Sequence, residues 1–267
     1  MSIPGWAAFL ARHKAVSSHP ARGPLLDGFE DIDLVVLAGD IHGGLRGLVY
    51  GEQLEKFFNA PVVYVAGNHE FYHHDMARLL PAFGTASAHT GGRVQFLDNA
   101  VARFVIRGQR LNMLGCTLWT DYALHGDAQF AMRTADRSMN DHVCIQIGTA
   151  RFLPGDALAR HQASRRWLHR TLAALRRDEP DAVNIVVTHH APGAAFLGAR
   201  TGAIAPAYAS ELLPEFCAAP PAAWIHGHTH FRHESAAEGM RVVSAPRGYV
   251  TYDGAATLAY KPGVLEI

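Results

Sequence analysis

Four short clusters in this 267-residue chain carry side chains that can ligate cations or move protons. They are Gly39-Asp40-Ile41-His42-Gly43, Gly67-Asn68-His69-Glu70, His189-His190 and His226-Gly227-His228-Thr229-His230. An aspartate offers a charged oxygen that can bridge two cations, and an asparagine offers a neutral carbonyl oxygen. Imidazoles offer neutral nitrogens. A mixed nitrogen and oxygen set without thiolate suits Mn, Fe, Zn or a similar divalent ion rather than a cysteine-based structural zinc site. Any one cluster alone reads as a polar strand end or a turn. Four of them in series, each directly behind an apolar run, are poorly explained by chance.

The elements behind the clusters are buried strands. Leu34–Ala38, Val62–Ala66, Val183–Thr188 and Ala222–His226 are short β-branched or aliphatic runs, and they alternate with helical stretches. That alternation is the α/β pattern. Ligand sites in α/β proteins gather at the carboxyl ends of strands. Four adjacent strands with these endings would bring Asp40, Asn68, His189, His228 and His230 together. Tyr50–Asn59 and Asp156–Arg177 read as helices, with Asp156 a cap for the second. Residues 93–97, 101–107 and 110–118 read as a meander, and 121–154 as a long functional loop region. Segments 241–244, 248–252, 257–260 and 264–267 read as short antiparallel strands. No repeat, linker or domain boundary is visible, so residues 1–267 read as one domain.

Composition narrows the classes. Lys+Arg and Asp+Glu are both 24, which excludes a nucleic-acid binder working by phosphate neutralisation through a basic surface. The chain is 49% hydrophobic and 18% charged, which excludes a disordered chain. Three separated cysteines form no disulfide framework, no apolar run is long enough to span a membrane, and no signal peptide is read at the N-terminus. A cytoplasmic protein is expected. Nearly all basic side chains are Arg and Ala is abundant, which points weakly to a GC-rich bacterial gene. The 17 His are the feature most in need of explanation. Neither Gly-x-Ser-x-Gly nor Gly-x-Gly-x-x-Gly is present to suggest another hydrolase or a dinucleotide site.

The combination of Gly39-Asp40, Gly67-Asn68-His69-Glu70, His189 within Val-Thr-His-His-Ala-Pro, and Gly227-His228-Thr229-His230 resembles the calcineurin-like metallophosphoesterase superfamily. Met139-Asn140-Asp141 and Pro246-Arg247-Gly248-Tyr249 resemble one branch of small bacterial phosphoesterases. The resemblance implies a four-layer α/β/β/α sandwich of two mixed sheets flanked by helices, with a two-metal site between the sheet ends. It implies that Asp40 bridges the metals, that Asn68, His189 and His228 complete one shell, and that His230 binds the other metal. It further implies that His69 stabilises charge at the scissile phosphate or protonates the leaving oxygen, with Glu70 supporting it. The implied reaction is in-line attack of a metal-activated hydroxide on a phosphomonoester or phosphodiester. Arg247 is a candidate bidentate phosphate ligand, or equally one half of a salt bridge.

One part of the pattern is missing. The family begins with a strand followed by Asp-x-His, which serves the metal that His230 would bind. Here the corresponding region reads Lys14-Ala15-Val16-Ser17-Ser18-His19-Pro20-Ala21-Arg22, and Met1–Lys14 reads as a short amphipathic helix. Residues 1–31 are therefore atypical, lacking the expected first strand and motif. Asp40-Ile41-His42 resembles the first motif of the serine/threonine-phosphatase branch, but no further Gly-Asp precedes Gly67-Asn68, so Asp40 is kept as the bridging residue. His19 and His42 are the possible substitutes for the missing ligands. Three accounts fit: a reading-frame or start error, a variant with one depleted metal site, or an inactive relative. The first is preferred, because losing a core strand strips ladder hydrogen bonds and buried side chains. The rival to an enzyme is a non-catalytic binding module on the same scaffold.

Overall fold

A computed structural model describes residues 8–12, 32–248, 260 and 262–267. In chain order the elements are β1 (Ala8–Arg12), β2 (Ile32–Ala38), α1 (Arg46–Phe58), β3 (Val62–Val65), α2 (Met76–His89), β4 (Val94–Phe96), β5 (Ala100–Ile106) and β6 (Gln109–Cys116). They continue with α3 (Ala128–Ser138), α4 (Asp141–Cys144), β7 (Gln146–Ile147), β8 (Ala150–Arg151), α5 (Pro154–Asp178), β9 (Val183–Thr188), β10 (Ala223–Ile225), β11 (His233–Ala237), β12 (Met240–Ser244) and β13 (Gly263–Glu266).

Two sheets dominate. One has the order β13-β1-β2-β3-β4 and the other β11-β12-β10-β9-β6-β5. Both are mixed. In the first, β1 runs antiparallel to β2, while β2, β3 and β4 are parallel. In the second, β6, β9, β10 and β12 are parallel, and β5 and β11 are antiparallel edges.

Period-two alternation along the central strands makes the layers. Leu34, Val36 and Ala38 of β2, with Val63 and Val65 of β3, face Met113, Ile185, Val187 and Ile225 of the other sheet in one apolar core. The intervening residues Val35, Leu37, Val62 and Tyr64 pack outward against Leu48 and Phe58 of α1 and Leu79 and Phe83 of α2. On the far side, Leu114, Val186, Trp224 and Val242 pack against Leu168, Leu172 and Leu175 of α5. Strands covered on both faces read as continuous apolar runs, as these do. The result is the expected α/β/β/α sandwich of two mixed sheets flanked by helices.

Several expectations need correction. Ala8–Arg12 is a strand and not part of an amphipathic helix, so a strand does precede β2. The buried β2 needs hydrogen-bond partners along both edges, and β1 supplies one of them whatever its local helical pattern. It pairs Ala8 with Leu37 and Arg12 with Ile32, so β1 ends at the opposite end of the sheet from Asp40. Residues 13–31, with Ser18, His19 and Pro20, lie outside the described residues. The region 121–154 is not one loop: it holds α3, α4 and the β7–β8 hairpin. Helix α3 buries only Ala131 and Ala135, which leave little apolar periodicity to read. The meander is only a β5–β6 hairpin, because β4 belongs to the other sheet. Helix α2 and strand β11 are additional elements. The four cluster-bearing strands are two neighbouring pairs in facing sheets rather than four neighbours in one. The strands expected over 248–252 and 257–260 fall almost wholly outside the described residues.

Candidate active site

The turn after β2 starts the site. Gly39 has φ +83°, and a Cβ there would collide with the His189 ring and the Gly67 backbone, so both the conformation and the close approach call for glycine. Asp40 itself takes the left-handed conformation, φ 58°, which costs a non-glycine residue energy and must be held by its surroundings. The buried Glu70 carboxylate does the holding. Its Oε2 accepts from Asp40 N at 2.9 Å and Gly67 N at 2.7 Å, and its Oε1 accepts from Ile41 N at 2.6 Å, His42 N at 3.3 Å and the Tyr64 hydroxyl at 2.8 Å. One side chain thus ties the turn after β2 to the turn after β3. Burial, and then the Asp40 charge, push the Glu70 pKa up, while Tyr64 and the Ile41 N–H favour its anion. Its principal contacts are with backbone, so it positions Asp40 and the Gly67 turn rather than acting only beside His69.

The Asp40 carboxylate accepts from His69 N at 3.0 Å. Its Oδ1 lies 3.3 Å from His189 Nε2, and its Oδ2 lies 3.9 Å from His69 Nε2. Burial opposes the Asp40 anion, but His189 and His69 outweigh it and hold the carboxyl well below the usual range. Asn68 is fixed from behind. Its Nδ2 donates to Asp141 Oδ1 at 2.7 Å and to the Tyr72 hydroxyl oxygen at 3.1 Å, and that hydroxyl donates to Asp141 at 2.6 Å. The amide oxygen is therefore turned toward His189 Nε2, 3.1 Å away.

His189 is oriented in the same way. Its Nδ1 is 2.8 Å from the Ala38 carbonyl, which can only accept, so Nδ1 carries a proton and Nε2 is the nitrogen turned toward Asp40 and Asn68. His228 Nδ1 lies 3.1 Å from that Nε2. Burial, then the nearby imidazoles, hold His228 well below its ordinary pKa and so neutral. For His189 burial acts against protonation, but the Asp40 charge prevails and raises its pKa. The His228 ring packs at a tilt on His190 and stacks on Tyr208, with centroids 4.2 Å and 4.7 Å away. His228 Nε2 is buried with no hydrogen-bond partner.

Oxygens of Asp40 and Asn68 and nitrogens of His189 and His228 thus converge from both sheets. Ligand atoms of Asp40, His189 and His228 lie within 4.8 Å of one another. A single proton satisfies one pair in such a group, whereas a divalent cation satisfies all four. The donor set fits a divalent cation of the intermediate class, with the surrounding hydrogen bonds orienting each ligand as metal sites require.

The site opens into a cleft of about 200 Å³. His69 and Tyr72 form one wall, stacked at 4.3 Å. His230, with φ 54°, lies on the wall beside His228 and outside the converging group. Ser138, Met139 and Asn140 close the cleft from the end of α3, and Arg200 and Tyr208 close it from the loop after β9.

Five of the sequence-derived candidates, Asp40, Asn68, His69, His228 and His230, line this cleft, and His189 lies buried directly behind Asp40. Other residues fall elsewhere. Arg247 interacts with Tyr50 and is not on the cleft wall. The ring of His42 turns to its neighbour's carbonyl, Gly43 O at 3.4 Å. His142 and His161 are buried hydrogen-bonding groups, facing the carbonyls of Phe152 and Trp119. His190 packs on His228 as an orienting group, whereas His226 packs at a tilt on His233 and Phe196. Sequence reasoning missed Arg200, Tyr208 and Tyr72. It quoted Asp141 without seeing that it clamps Asn68. Tyr72 and Asp141 sit beside recognised motifs, but Arg200 has no local signal.

The family profile of calcineurin-like phosphoesterases matches residues 6–232, and the chain belongs to that family. No curated protein sequence matches the chain. Among solved structures, the phosphopantetheinyl hydrolase (PptH) from Mycobacterium tuberculosis is similar in fold. It has a TM-score of 0.60 and 15% identity over 80% of this chain and 78% of its own. A second solved structure aligns over 74% of this chain and 64% of its own at 15% identity, with a TM-score of 0.41. Among the described residues no helix is long and apolar enough to cross a membrane.

Proposed function

We propose that the chain is a metal-dependent phosphoric ester hydrolase. The observation that carries this reading is the convergence of Asp40, Asn68, His189 and His228 at one buried point beside His69. Those four residues would hold a divalent cation such as Mn, Fe or Zn, and His230 on the adjoining wall would contribute to a second. A bound divalent cation acts as a Lewis acid on phosphoryl oxygen and lowers the pKa of water. His69, stacked on Tyr72 at the cleft wall, donates a proton to the leaving oxygen. The P–O ester bond breaks, a P–O bond to the oxygen of water forms, the alcohol departs with the proton from His69, and the proton lost by the water passes to solvent, from which His69 is reprotonated.

The test is metal analysis of the purified protein combined with turnover of p-nitrophenyl phosphate and bis-p-nitrophenyl phosphate across Mn, Fe, Co, Ni, Zn and Mg. The reading expects at least one bound metal per chain, turnover with one or more of these ions, and loss of both in Asp40→Ala. Absence of turnover with every ion, with metal content unaffected by Asp40→Ala, would leave the scaffold a binding module.

A further inference from the structure

The cleft has one permanently charged cation among its described lining residues, Arg200, and one carboxylate, Asp40. Arg200 is held at two points. Its Nε donates to the Thr229 carbonyl at 3.1 Å, between His228 and His230. Its guanidinium carbon lies 4.2 Å from the centroid of Tyr208, the ring that stacks on His228. Cation–π contact and backbone anchor together fix the plane of the group relative to the histidines. Among the described residues no carboxylate pairs with it. With Nε engaged, the two Nη groups remain as a planar fork, a geometry that matches two phosphate oxygens.

The geometry points to Arg200 as a specificity-determining residue that selects a dianionic terminal phosphate, so that the substrate class is phosphomonoester rather than phosphodiester. This rests on the hydrolase reading. A monoester has three non-bridging oxygens and two charges, enough to fill the fork and still present an oxygen to the histidine side of the cleft. A diester has two such oxygens and one charge, so both would have to be shared between the fork and that side. The chain has no net charge to attract anions, so recognition falls to local groups, and Lys in place of Arg would keep the charge but lose the fork.

The experiment compares wild type with Arg200→Ala, Arg200→Gln and Arg200→Lys. It uses p-nitrophenyl phosphate, bis-p-nitrophenyl phosphate and calorimetric titration with inorganic phosphate. Wild type is expected to favour the monoester. Arg200→Ala should raise its KM and weaken phosphate binding by about tenfold or more. The loss on the diester should be smaller than the loss on the monoester. Arg200→Lys should recover part of the phosphate affinity. Arg200→Gln, which keeps most of the stem on Tyr208, gives the same comparison if the alanine variant does not fold. Equal losses on both esters, or unchanged phosphate affinity, would overturn the proposal and leave Arg200 a loop anchor. If wild type hydrolyses neither ester, the hydrolase reading fails, and the phosphate titration still decides the role of the fork.

Discussion

At the scale of single residues, the site is a set of lone pairs aimed by hydrogen bonds from behind. Asp141 aims Asn68, the Ala38 carbonyl aims His189, and Glu70 fixes the turn carrying Asp40. Asp141→Ala frees the Asn68 amide and is expected to weaken metal binding by about 10–100-fold, measured by competition with a chelating indicator. His69 is different, because it faces the cleft. His69→Ala should leave metal content unchanged and lower kcat by about 10²-fold or more on an alkyl phosphate. The loss should be smaller on p-nitrophenyl phosphate, whose leaving group needs no proton. A uniform loss across leaving groups would point to charge stabilisation instead of proton donation.

At the scale of elements, buried histidines link helix docking to pH. His161 on α5 is buried against the Trp119 carbonyl, and burial holds its pKa below the ordinary value. His142 is held low by the same cause. For a histidine with a depressed folded pKa, the unfolded chain takes up the proton first. Stability is therefore complete above the unfolded value near 6.5 and falls as pH drops toward the folded value, by about 1.4 kcal/mol per pH unit for each such group. Urea unfolding at pH 7 and pH 5 should show this loss in wild type, and a smaller loss in His161→Leu. The same scale explains two misreadings. Helix α3 was invisible because its buried stripe is alanine, although Asp127 caps it by accepting from Phe130 N at 2.8 Å. Strand β1 was read as helix because its partner, β2, lies twenty residues downstream and sets its conformation from outside.

At the scale of the whole molecule, the candidate ligands come from both sheets: Asp40 and Asn68 follow β2 and β3, and His189 and His228 follow β9 and β10. A cation bound there couples the two halves of the sandwich. Saturating metal should raise the melting temperature by mass action, and a chelator should reverse the rise. Asp40→Ala should abolish the metal-induced shift, as read by calorimetry, even where its own metal-free stability is close to that of wild type.

The sequence by itself determined the strand cores, the α/β class and the residues at the four strand ends. Local alternation and apolar runs are imposed by burial on both faces, and the clusters follow directly in the chain. Helix α5 was legible from the helical spacing of Leu168, Leu172 and Leu175, although it starts at Pro154 behind Leu153 as N-cap, and Asp156, expected as the cap, sits in the first turn and accepts from Leu153 N at 2.8 Å. Tertiary structure alone decided which strands share a sheet, that β1 runs antiparallel and ends far from Asp40, and that Glu70 ties two turns by their backbone. It alone brought Arg200 and Tyr208 to the histidines. Those facts depend on contacts between residues far apart in the chain, where neither spacing nor residue type records the partner.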